Sequence, residues 1–203
     1  LIPPSDDHYL GFAFSKSGNT IFFVRKSSDD SAPTAVYRIA TFGGIPAKII
    51  DKAEGWISIS PDDQHISFVR CEYTDQDFCS LLTAGIDGSN ERLLVSKPRP
   101  IRISAQDFSP DGKSIGYAAG HSTNGGSDFQ ILRINIADGT ETEITPKRYF
   151  NVKSLKWLPS GDELLLTAME MLDGKLNIWR LDAVTREAVS LTKDSVNYNA
   201  ISL

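Results

Sequence analysis

Phe108-Ser109-Pro110-Asp111-Gly112 is a strand end running into a tight turn, and three other stretches of the chain repeat it. They are Phe14-Ser15-Lys16-Ser17-Gly18, Ile59-Ser60-Pro61-Asp62-Asp63 and Trp157-Leu158-Pro159-Ser160-Gly161. Proline fixes φ near about −65° at the first corner, aspartate holds its own backbone in an Asx-turn, and glycine accepts the positive φ that closes the bend. Pro61, Asp62, Pro110, Asp111, Gly112, Pro159 and Gly161 are therefore assigned to structural turns. The interval is 49 residues from Pro61 to Pro110 and again to Pro159, and 45 from Lys16 to Pro61. A fixed period in this range marks an array of one supersecondary unit. Lys16-Ser17 replaces Pro-Asp in the first copy, and Leu158 and Ser160 replace Ser and Asp in the fourth, so these two turns are expected to be looser.

Each turn is followed by an apolar run rich in β-branched and aromatic residues: Thr20–Val24, His65–Val69, Ser114–Ala118 and Glu163–Thr167. These read as largely buried second strands. A polar loop of variable length comes next, then a strand of alternating character at Val36–Ile39, Ser80–Thr83, Gln130–Ile134 and Leu176–Leu181. Spacing of two puts one face inward and the other toward water. A second turn follows (Phe42-Gly43-Gly44, Asp87-Gly88, Asp138-Gly139, Asp182–Thr185), and then a short strand at Ala47–Ile50, Arg92–Val95, Glu141–Ile144 or Ala188–Leu191. Four antiparallel strands per repeat make the blade of a β-propeller. The repeats span approximately 9–52, 55–97, 103–147 and 152–193. An all-β fold is expected, of about four blades out of a ring of six to eight and nearly free of helix, since no stretch pairs apolar residues at helical spacing with a capped start.

The chain has 203 residues, 23% of them charged, and a formal net charge of −5. No apolar run approaches the ~20 residues of a membrane-spanning helix. The negative balance argues against nucleic acid, which calls for a clustered basic stripe. The densest basic stretch, Lys97-Pro98-Arg99-Pro100 with Arg102, reads as an extended connection between blades. Leu1-Ile2-Pro3-Pro4 resembles the close of a preceding outer strand, and residues 197–203 resemble the inner strand of a further blade, so the chain is expected to be part of something longer.

The Ser-Pro-Asp-Gly turns, the second strands of the Ile66-Ser67-Phe68-Val69 type and the Asp-Gly third turns resemble the WD40-like repeats called PD40, found in TolB-like β-propellers. The resemblance covers essentially the whole chain. No copy has the Gly-His start or Trp-Asp end of true WD repeats. Ile2-Pro3-Pro4-Ser5 with Phe12-Ala13-Phe14-Ser15, and Leu191-Thr192 with Asp194-Ser195 and Asn197-Tyr198, look like propellers appended to bacterial serine/threonine kinases or winged-helix regulators.

Residues that could carry chemistry are few. Gly112-Lys113-Ser114-Ile115-Gly116 fits the Gly-x-Ser-x-Gly nucleophile pattern, but that motif needs a strand-to-helix elbow, and here it opens a second strand. His8, His65 and His121 fall in different parts of different repeats and lack zinc-ligand spacing. Asp29-Asp30 and Asp75-Gln76-Asp77 lack the alternating carboxylates and glycine bend of a calcium loop. No catalytic, cofactor-binding or metal-binding residue is therefore assigned, and no cofactor is expected.

Cys71 and Cys79 bracket the loop between the second and third strands of one blade, where antiparallel pairing brings them face to face. Opposed Cβ atoms lie roughly 4.5–5.5 Å apart, near the range a disulfide tolerates. Two free thiols in a reducing compartment are the competing reading. The symmetric placement favours a bridge, and with it a periplasmic or other extracytoplasmic setting.

Trp56, Trp157, Trp179, Tyr73, Phe78 and Tyr149 invite a recognition-surface reading, but Trp157 precedes a turn where other copies have Ile59 and Phe108, and Trp179 lies in an alternating strand. Both are expected in the core. Tyr73 and Phe78, in a loop, are the better candidates for contacting a partner. The expected function is a non-catalytic interaction or sensor propeller binding a protein, peptide or small ligand, with self-association possible through exposed blade edges. The alternative is the substrate-gating propeller of a prolyl-oligopeptidase-like serine peptidase, whose nucleophile lies in a separate domain. Fold alone does not separate the two.

Overall fold

The structure is a computed structural model that describes residues 6–29, 32–72, 77–123, 126–172, 174–193 and 195–201. Sixteen strands are assigned and no helix occurs among the described residues. They form four antiparallel sheets of four strands each: β1(His8–Phe14) to β4(Ala47–Asp51), β5(Glu54–Ile59) to β8(Arg92–Pro98), β9(Arg102–Phe108) to β12(Glu141–Tyr149), and β13(Asn151–Trp157) to β16(Ala188–Ser190). Within each sheet every strand pairs with its neighbours in sequence, the meander of a propeller blade. The fold is all-β, built of four four-stranded propeller blades.

The chain divides into two compact units, Leu1–Ser96 and Lys97–Leu203. In the first, one face of each blade joins a shared core: Phe22, Val24, Val36 and Ile50 from one sheet meet Ile57, Ile66, Phe68 and Leu82 from the other. Val24, Val36, Ile66 and Phe68 are completely excluded from solvent. In the second unit Ile131, Ile144 and Tyr149 meet Val152, Leu155, Trp157, Leu164 and Trp179. Gly116 allows this approach, because a Cβ there would lie 2.8 Å from the Trp157 indole nitrogen.

The four repeat turns close alike, which corrects the expectation that the first and fourth are looser. An N–H three residues on donates to the carbonyl of Ser15, Ser60, Ser109 and Leu158, from Gly18, Asp63, Gly112 and Gly161, at 2.9, 3.0, 2.8 and 3.0 Å. The closing residue has positive φ every time, 73°, 58°, 68° and 79°. The backbone bond and the left-handed residue define the turn; proline and aspartate only favour it.

Two segments differ from the sequence reading. The second-to-third-strand connection of the third blade is not a polar loop: β10(Ser114–Thr123) and β11(Gly126–Asn135) continue as paired strands through His121↔Asp128 and Ser122↔Ser127. Cross-strand backbone bonds hold polar side chains in a ladder that hydrophobic patterning does not reveal. Pro98 is the last residue of β8 rather than part of a connection, at a strand end where a missing N–H costs little. Residues 195–201 carry no strand, and the Tyr198 N–H donates to the Leu176 carbonyl at 2.9 Å.

Candidate functional site

The side-chain types that suggest chemistry in the sequence are engaged in turn closure. Ser114, the serine of the Gly-x-Ser-x-Gly match, is buried at the start of β10. Its Oγ lies 3.1 Å from Ser109 Oγ and accepts from Arg133 Nε at 2.8 Å. Ser109 Oγ in turn donates to Asp111, 2.6 Å away, and the Asp111 carboxylate accepts the Lys113 N–H at 3.1 Å. Asp62 repeats the arrangement, taking the Ser60 hydroxyl at 2.5 Å and the Gln64 N–H at 3.0 Å.

The serine hydroxyl first, and the backbone N–H second, hold the Asp62 and Asp111 carboxyls below the usual 3.8. Asp87, Asp138 and Asp182 are lowered by the same kind of hydrogen bonding to Ser89, Thr140, and Thr185 with Val184. A depressed folded-state value means that the unfolded chain binds protons more readily. The resulting stability is present above the unfolded value of 3.8 and is lost as pH falls through the lower folded values. Thermal unfolding followed between about pH 6 and pH 2.5 should show a melting temperature that declines steeply only below about pH 4. The acid slope should be shallower in Asp111→Asn.

Two carboxylates carry a role that the repeat pattern does not signal. Asp107 accepts the buried N–H of Trp157 at 3.0 Å and the Lys156 ammonium at 2.8 Å, tying β9 to β13. Asp63 accepts the N–H groups of Lys16 at 2.5 Å and Ser17 at 3.0 Å, so the second blade's turn holds the first blade's. This explains how Lys16-Ser17 keeps the common turn geometry. The one sequence signal for Asp107 was a carboxylate directly before Phe108, at the end of the strand that enters the repeat turn.

Cys71 and Cys79 are directly opposed in the β6(His65–Glu72)–β7(Phe78–Gly85) ladder and form a disulfide. Nearby, the Arg70 guanidinium clamps Glu91 at 2.7 and 3.0 Å and donates to the Asp51 carbonyl at 2.8 Å, joining the two blades of the first unit. Phe78 is 39% exposed at the mouth of the hairpin, while Tyr73, Asp75 and Gln76 lie outside the described residues, as do Asp30 and residues 1–5. Reduction of the bridge should destabilise the first unit by about 2–3 kcal/mol on the loop-entropy model. Urea unfolding with and without reductant, compared with Cys71→Ser/Cys79→Ser, measures it.

The aromatic residues separate clearly. Trp157 and Trp179 are buried, and Tyr149, 1% exposed, packs edge-on to Trp179 with ring centroids 5.4 Å apart. Tyr149 is therefore core, which corrects its place in the recognition surface, and burial pushes its phenol above the usual value. The exposed aromatic surface is instead on β1, with Tyr9, Phe12 and Phe14 at 47, 63 and 52% exposure. Phe12 and Phe14 meet edge to face, and Tyr9 leans on Phe23, which stacks on Tyr37 under the Arg25 guanidinium. Phe42 and Ile45 project almost fully exposed from the β3(Ala35–Ala40)–β4 turn.

Turn serines, turn aspartates and the buried Asp107 serve structure, and His8, His65 and His121 stand on separate strands. Among the described residues no three His, Cys, Asp or Glu side chains are grouped to hold a metal ion, and no helix is long and apolar enough to cross a membrane.

Comparison with known proteins places this geometry among propellers of several kinds. No family model matches the chain. Dipeptidyl-peptidase 5 of Porphyromonas gingivalis is 27% identical over 155 residues, covering 72% of this chain and 22% of the peptidase. A solved structure assigned as TolB, from Agrobacterium tumefaciens, superposes with TM-score 0.72 at 20% identity, over 89% of this chain and 64% of that protein. TolB from Acinetobacter baumannii gives 0.71 at 18% identity, over 94% and 45%. The chain thus spans about a fifth of the curated relative and less than two thirds of these solved structures. What it shares with the solved structures is the TolB-like β-propeller fold.

Proposed function

We propose that this chain is the interaction or ligand-sensing propeller of a larger bacterial signalling protein, acting outside the cytoplasm and without catalysis of its own. The observation that carries this reading is the aromatic surface of β1, where Tyr9, Phe12 and Phe14 stand 47, 63 and 52% exposed on one strand, apolar area of the kind that marks a protein-binding face. Ser114 supports the non-catalytic part, because its hydroxyl is buried and committed to turn closure. The Cys71–Cys79 bridge supports an oxidising compartment.

A second reading is favoured by the 27% identity with dipeptidyl-peptidase 5: the chain is then the propeller that gates access to a peptidase site elsewhere in the same polypeptide. One experiment separates the two. A photo-crosslinking residue is placed at Phe12 or Phe78 in the full-length protein, and the same protein is treated with a fluorophosphonate probe. Capture of a discrete partner with no labelled serine supports the sensor. A labelled serine outside this chain supports the gating propeller and overturns the first reading.

A further inference from the structure

We infer that the outer edge of the fourth blade is a docking site for an extended acidic peptide segment, added as a fifth strand beside β16. This inference rests on reading the propeller as an interaction module. Three observations meet at one place, all of them within the second unit.

The first is a free edge. β16 is the last strand of its sheet, with no strand beyond it among the described residues. Its bonds to β15(Asn177–Asp182) run through Val189, because the flanking bonds are Asp182 N–H to Glu187 carbonyl at 2.9 Å and Leu191 N–H to Ile178 carbonyl at 2.8 Å. Antiparallel ladders alternate, so the backbone groups of Ala188 and Ser190 point away from the sheet. Such an edge is the template used in strand addition.

The second is a cleft of about 560 Å³ beside that edge, lined by Ala188, Val189, Ser190, Asn177 and Trp179. The third is its charge. In a chain of net charge −5, Lys175 and Lys193 both line this cleft. Glu170, the one carboxylate lining it, already accepts from Lys147 Nζ at 2.6 Å, and Lys147 sits over the Trp179 ring at 4.5 Å. The lining is therefore net positive.

A strand of only three residues offers few backbone bonds, so the ammonium groups must supply much of the affinity and the choice of partner. Carboxylates at alternate positions of an extended segment fall on one face of it, so that face can be turned toward the lysines. This selects an acidic peptide over a neutral or basic one.

The test uses a fluorescein-labelled peptide of five Glu-Thr repeats and its Gln-Thr analogue, read by anisotropy at low and moderate salt. The Glu-Thr peptide should bind, and the analogue, added salt and the Lys175→Gln/Lys193→Gln variant should each weaken it about tenfold or more. Ser190→Pro removes one outward N–H without touching a ladder bond and should also weaken binding. Should that variant fail to fold, amide shifts of Ala188 and Ser190 in the wild-type protein decide. Undiminished binding to the double variant, or shifts confined to other residues, overturns the edge site while leaving the interaction reading intact. No binding of the Glu-Thr peptide at about 1 mM overturns it as well. The interaction reading itself falls if crosslinking from Phe12 and Phe78 captures nothing, or if a serine outside this chain is labelled.

Discussion

Phe68→Ala should destabilise the first unit by about 3–5 kcal/mol, the cost of an empty space in a core that cannot collapse around it. Phe68 is completely buried on β6, opposite Leu82, and packs into the cluster formed by Phe22, Val24, Val36 and Ile50 of the neighbouring blade. Its ring also lies 5.2 Å from the Arg70 guanidinium carbon. The loss is therefore felt by both blades and by the Arg70 clamp on Glu91 and Asp51. Urea titration should show a lower midpoint at unchanged slope, with Trp56 reporting the first unit and Trp157 and Trp179 the second. Phe68→Leu should cost about 1.5 kcal/mol or less, since most of the volume remains. Similar losses in the two variants would mean that Phe68 is not a packing keystone.

Asp107→Ala should destabilise the second unit by about 3 kcal/mol, through two groups left without their acceptor. The Trp157 N–H is buried and loses a charged acceptor at 3.0 Å, and Lys156 loses its partner at 2.8 Å. Lys156 is 32% exposed, so water screens its part of the loss and the N–H dominates. Asp107→Asn keeps an acceptor for the N–H and should cost about half as much. A double-mutant cycle with Lys156→Met isolates the ion pair, whose coupling should be about 1 kcal/mol or less. Equal destabilisation by the Ala and Asn variants would show that charge, not the N–H acceptor, ties the blades.

Asp107 and Phe68 also show where sequence reading succeeds and where it stops. Phe68 was legible as a buried strand residue from its place in a β-branched and aromatic run after a Pro-Asp turn, because local pattern and burial obey the same period. Asp107 was not, because its partners lie 49 and 50 residues away, in another blade. The Cys71–Cys79 pairing was legible because hairpin register is local, whereas the continued pairing of His121 with Asp128 was hidden by polar side chains that read as loop. Tyr149 looked like a surface aromatic and is core, since Trp179, whose ring packs on it, lies 30 residues further along the chain in the next blade.

The candidate binding surfaces divide in the same way. Phe78 was visible as an aromatic beside a cysteine pair, although it is the first residue of β7 and not part of the loop as the sequence reading had it. The aromatic surface of β1 and the lysine-lined edge of β16 were not, because exposure and proximity are properties of packing rather than of any one strand's pattern.

The sequence by itself determined the repeat, the turns, the four-stranded blades and the cysteine hairpin, all written in short-range φ preferences and a two-residue hydrophobic period. Only the tertiary structure decided which carboxylates tie one blade to the next, which aromatics face water and which strand edge borders a lysine-lined cleft. Those outcomes depend on contacts between residues roughly one blade apart, where no local preference reaches.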